Sequence, residues 1–121
     1  MVEYNEEGLN RTFAALGDPT RRAILARLQQ GPLRVTELAA PFDMSLNAVS
    51  KHLKLLERAS LVQREVSGRE HYCSLDARPL GEAAGWTAAY RGFWEKRLDA
   101  LERLVVARRR AARRRGKRRA R

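Results

Sequence analysis

Apolar positions along the chain recur at helical spacing in several short stretches. Leu9, Phe13 and Leu16 fall on one face and predict a first helix ending near Gly17. Asp18-Pro19 then supplies an N-cap and a proline at the first helical position, where its missing N–H costs nothing. Ile24, Leu25 and Leu28 form the stripe of a second helix, which Gly31-Pro32 stops. Thr36 is expected to cap a third, short helix around Leu38 and Ala39 that Pro41 shortens. Leu61–Val66 and His71–Leu75 read as two strands joined by Ser67-Gly68-Arg69-Glu70. Asp76 is expected to cap a last helix carrying Leu80, Trp86, Tyr90, Phe93, Trp94, Leu98, Leu101 and Val105. The predicted fold is mainly α with a small β-hairpin, a winged helix-turn-helix.

Between the third helix and the hairpin lies Ser45–Val62, SLNAVSKHLKLLERASLV. Ser45 is a good N-cap, and Val49, Leu53 and Leu56 share one helical face. The other face of the first two turns carries Asn47, Ser50, Lys51, His52 and Lys54. A helix pinned to a core on one side and polar, basic and short-chained on the other suits a DNA major groove.

Asn47 and Ser50 are the candidates for base edges, since short amides and hydroxyls read donors and acceptors there. Lys51 and Lys54 suit groove or phosphate contact, against the plainer alternative of a solvated helix face. His52 reads equally as a phosphate contact or as a residue packing on the third helix. Ser45 and Thr36, at helix starts, complete this part of the DNA-contacting set, and Thr36 can offer a phosphate its hydroxyl and backbone donors. Arg69 at the wing tip suits a minor groove or the backbone, and Arg64 on the first wing strand is a weaker version of the same idea.

From Phe13 to Leu75 the sequence resembles the ArsR-type winged-helix transcriptional regulators. The resemblance rests on Leu16-Gly17-Asp18-Pro19-Thr20-Arg21-Arg22 with Ile24-Leu25, and on Glu37-Leu38-Ala39. It continues through Ser45, Val49-Ser50-Lys51-His52-Leu53, Leu56, Leu61-Val62 and Gly68-Arg69 with Tyr72. The last helix, with Trp86, Tyr90, Arg91, Phe93-Trp94-Glu95 and Leu98-Asp99-Ala100-Leu101, is similar to a subgroup of these regulators lacking metal boxes. The resemblance implies a homodimeric repressor that occludes promoters, its own included.

Two departures stand out. Val35–Ala40, where metal-sensing members carry a Cys-x-Cys type box, holds no thiolate or imidazole, and the last helix has no His. With His52, His71 and Cys73 the only soft ligands, neither a metal site nor a cofactor is expected. Ser60 stands where the family usually has glycine, at a cost of roughly 1 kcal/mol if φ is positive there.

Charge changes the picture less than its total suggests. The chain of 121 residues carries 25 basic and 14 acidic side chains, a net of +11. Ten of the basic residues lie in 107–121, which has no acidic residue, so the other 106 residues hold 15 basic against 14 acidic. The chain therefore divides into a winged-helix and dimerisation domain, 1–106, and an arginine-rich tail, 107–121. That tail is expected to be disordered or partly helical and to attract phosphates without regard to sequence. A nucleoid-type protein that coats DNA through this tail is the alternative to a sequence-specific repressor.

A single cysteine, Cys73, excludes an intrachain disulfide. It reads as a core residue of the second wing strand, against a redox-sensor alternative. His71 beside it reads as a strand surface residue. Leu9, Phe13, Leu16, Trp86, Tyr90, Phe93, Trp94, Leu98 and Leu101 are too many large apolar groups for so small a body and are expected to form the dimer interface. The partners expected are thus double-stranded DNA with an inverted-repeat operator and a second copy of the chain, with no membrane. The sequence names no small-molecule effector, though a pocket between the terminal helices stays open. No nucleophile–base set, carboxylate pair or phosphate-binding glycine loop points to an enzyme. An acidic start and the lack of a long apolar run point to a cytoplasmic, nucleoid-associated protein.

Overall fold

The computed structural model describes residues 4–119. Asn5 opens α1 (Glu6–Leu16), its side-chain oxygen accepting from the Gly8 N–H at 3.2 Å. Asp18 caps α2 (Pro19–Leu28) in the same way, accepting from the Arg21 N–H at 3.0 Å, with Pro19 at the first position. Arginines from α2 then close the end of α1. Arg21 donates from Nε to the Ala15 carbonyl at 2.7 Å and from Nη2 to that of Ala14 at 3.0 Å. Arg22 donates to the Leu16 carbonyl at 2.6 Å. Helix ends leave such carbonyls without partners, and cations there also suit the helix dipole.

After Gly31, at φ +135, the chain forms β1 (Leu33–Arg34), α3 (Val35–Ala39) and α4 (Leu46–Arg58). The wing follows as β2 (Val62–Ser67) and β3 (Glu70–Leu75), and α5 (Arg78–Arg119) completes the chain. The sheet is antiparallel in the order β1-β3-β2, with Leu33 opposite Cys73 and Ser67 opposite Glu70. β1 is an addition to the hairpin expected from sequence, because two residues are too few to show an alternation. Gly68, at φ +65, turns the wing. The core gathers Ile24, Leu28, Leu38, Val49, Leu53, Leu56, Leu61 and Cys73, all buried.

Two expectations need correction. Arg34, not Thr36, is the N-cap of α3, and Thr36 lies inside the helix. Arginine has no acceptor to offer, so Glu37 reaches back instead, accepting from the Arg34 N–H at 3.3 Å. Asp76 sits one residue before the cap of α5, accepting from the Arg78 N–H at 3.1 Å. The tail is helical as far as Arg119. Ala and Arg are strong helix formers, and a segment that extends an existing helix needs no new nucleus.

By its contacts the chain divides into units of residues 1–86 and 87–121. In the first, Phe13 and Trp86 meet edge to face at 5.7 Å between centroids. In the second, Phe93 and Trp94 do so at 6.1 Å, and the Arg97 guanidinium lies 4.5 Å over the Phe93 ring. Among the described residues no helix is long and apolar enough to cross a membrane.

Candidate nucleic-acid interface

α4 has the two-sided character read from its sequence. Ser45 caps it, accepting from the Ala48 N–H at 3.1 Å. Val49, Leu53 and Leu56 are fully buried, while Asn47, Lys51 and Lys54 are exposed and Ser50 half-exposed. The helix ends in a Schellman motif, with Ser60 N–H donating to the Glu57 carbonyl at 2.9 Å and Leu61 N–H to that of Leu56 at 3.0 Å. Ser60 takes φ 59, the left-handed conformation that favours glycine at this position.

The cations of this region fall into two groups. Lys51, Lys54 and Arg69 are exposed and make no ion pair among the described residues. Arg64, by contrast, is half-buried and paired to Glu57 at 2.7 Å, so it braces the wing against α4 instead of standing free for a phosphate. His52 likewise turns inward. Its Nδ1 lies 3.3 Å from Arg21 Nη1 and 3.8 Å from the Asp18 carboxylate, so it packs on the start of α2 instead of on the third helix. The Arg21 N–H bond, with lesser help from the nearby imidazole and guanidinium, holds the Asp18 carboxyl below its ordinary range. Thr36 is exposed on the first turn of α3.

One positioning group was not read from the sequence. Arg34 bridges Glu37 at 2.7 Å and Glu70 at 3.0 Å, and the Tyr72 hydroxyl donates to Glu70 at 2.8 Å. These contacts depress the carboxyls of Glu37 and Glu70 and raise the Tyr72 phenol. The network ties the start of α3 to the tip end of the wing hairpin, where Glu70 pairs with Ser67 beside the turn. The Arg34-x-x-Glu37 spacing was visible, but its link to Glu70 needs the fold. Cys73 is wholly buried, and desolvation pushes its thiol up.

A helix followed by a turn, a second helix with a polar basic face and a two-stranded wing is the layout of a winged-helix DNA-binding domain. A family model described as a helix-turn-helix domain matches residues 16–65. The HTH-type transcriptional regulator Rv2034 of Mycobacterium tuberculosis is 44% identical over 96 residues, 79% of this chain and 87% of that protein. The chain belongs to the ArsR family of transcriptional regulators. A crystal structure of an ArsR family transcriptional regulator superposes with a TM-score of 0.70 at 42% identity, covering 78% of this chain and 97% of that one. The transcriptional repressor SdpR of Bacillus subtilis is 33% identical over 64% of this chain and 87% of its own. This ArsR-family protein is accordingly a DNA-binding transcriptional regulator and not an enzyme.

The proposed dimer residues do not all lie outside. Leu9 is buried within its own chain, and Leu16 packs against the core, so both serve the fold first. Phe13, Trp86, Tyr90, Phe93, Trp94, Leu98 and Leu101 are exposed by 40% or more.

Proposed function

We propose that this regulator is a homodimeric repressor that binds an inverted-repeat operator, its own promoter among the targets. The observation that carries the proposal is the division of α4, whose Val49, Leu53 and Leu56 are fully buried while Asn47, Ser50, Lys51 and Lys54 remain available to DNA. Ser45, Thr36 and Arg69 would add contacts at the helix starts and the wing tip. A two-fold dimer would set two such helices in successive major grooves, with half-site centres about 34–36 Å apart. Occupancy of a promoter then excludes polymerase.

The exposed apolar groups of α5, Trp94 at 61% and Leu98 at 60% among them, support association with a second copy. The basic residues of 107–119 support a sequence-independent attraction to phosphate that strengthens binding anywhere on DNA. They also support the rival reading, a protein that coats DNA through its tail.

Binding to a selected palindrome and to random duplex, measured across salt for the full chain and for a chain ending at residue 106, separates the two. The repressor keeps a specificity ratio of at least about 10³ after truncation and loses only non-specific affinity. A coating protein shows no such ratio in either form, and that result would overturn the proposal. Lys54→Ala in the full chain should reduce the log–log salt slope by about 1 at every sequence, while Asn47→Ala should weaken the preferred site selectively.

A further inference from the structure

Leu46 is the first residue of α4 and is 51% exposed, although the three apolar residues that follow it on the core side are fully buried. It borders a groove of about 390 Å³ that runs between α3 and the wing and includes Val35, Thr36, Arg64 and Arg69. Asn47 is its neighbour on the exposed face. The helix leaves a second leucine outside, Leu55, but that one lies in the C-terminal half, where a helix docked by its first turns leaves the groove.

An aliphatic side chain can neither accept from a base nor contact a phosphate favourably. The one apolar mark in the major groove is the thymine C5-methyl group, which distinguishes thymine from the other bases by contact alone. Exposed aliphatic surface at the reading end of the helix, flanked by an amide and by exposed Arg69 and Thr36, matches that mark.

Building on the proposal that α4 enters a major groove, we infer that Leu46 is a specificity-determining residue that packs on a thymine methyl group in each half-site. Leu46 selects thymine there by burying the methyl group, while the surrounding polar residues hold the register. The side chain is thereby used on DNA and not in the core.

Deoxyuridine pairs as thymidine does but lacks the methyl group. The test takes the duplex most enriched from a random pool by the full chain. Its thymines are replaced with deoxyuridine one symmetric pair at a time, and affinity is read by fluorescence anisotropy. One pair should cost about four-fold per half-site, the worth of one buried methyl group. Leu46→Ala should bind the thymine and uracil forms of that pair equally, and Leu46→Met should keep the discrimination.

A wild-type chain indifferent to every replacement overturns the inference even if Leu46→Ala fails to fold, and so does a Leu46→Ala chain that retains the discrimination. If no sequence is enriched at all, the DNA-reading role of α4 falls and this inference falls with it. Enrichment without methyl sensitivity defeats the inference alone.

Discussion

Ser60 and Cys73 are single residues whose environments decide what they do. Ser60 closes α4 at φ 59 because the two hydrogen bonds of the Schellman motif require it, although a side chain is strained there. Ser60→Gly should stabilise the fold by about 1 kcal/mol, read as a midpoint several degrees higher in thermal unfolding. An unchanged or lower midpoint would show that the serine hydroxyl compensates.

Cys73 faces the core from β3 with no exposed surface, and its thiol is raised by desolvation, so little thiolate is present at neutral pH. In the folded protein it should resist iodoacetamide until denaturant is added, and Cys73→Ala should leave operator affinity and its response to peroxide unchanged. Rapid native labelling coupled to loss of binding would restore the redox-sensor alternative.

At the scale of elements, some caps and turns are legible in the chain and others, such as the starts of α3 and α5, are not. Asp18-Pro19, Ser45 and Gly68 each carry a local mechanism that needs no tertiary contact, and each lies at an element boundary as read. The fold also gives a physical reason for the Arg21-Arg22 pair in the family-like block. Both guanidiniums close the end of α1, six or seven residues back, which no periodicity could reveal. The same limit hid β1, the Arg34 network and the inward turn of His52, since each depends on partners distant in sequence.

Asp76 shows how one such local contact reports on pH. The Arg78 guanidinium and N–H hold its carboxyl at about 2. A carboxyl depressed on folding adds stability above its ordinary value, near 3.9, and that contribution fades as pH falls towards about 2. Thermal unfolding from pH 5 downward should therefore be less pH-dependent over this window in Asp76→Asn than in the wild-type chain. Parallel curves would mean that the Asp76–Arg78 pair persists in the unfolded chain.

For the whole molecule, the sequence exposed a surplus of large apolar groups but could not say which ones the fold itself would consume. The chain keeps Leu9 for its own core and leaves Trp94, Leu98 and Leu101 on one side of α5 at 57–61% exposure. At 100° per residue these three lie within about 60° of arc, a stripe narrow enough for a partner helix. A second copy of the same stripe is the simplest cover, because a two-fold axis makes one surface complementary to itself.

The consequence for DNA is quantitative. Two half-sites held by one rigid dimer gain the second contact at high effective concentration, whereas separate chains must bind each half independently. Leu98→Asp combined with Leu101→Asp should yield a monomer in sedimentation at micromolar concentration, with the winged-helix unit still cooperatively folded by circular dichroism. Affinity for a palindrome should fall at least about 100-fold, while affinity for a single half-site changes little. A double variant that remains dimeric would move the interface elsewhere. A monomer that still binds the palindrome at full affinity would show that two-fold symmetry is not how this regulator reads its operator.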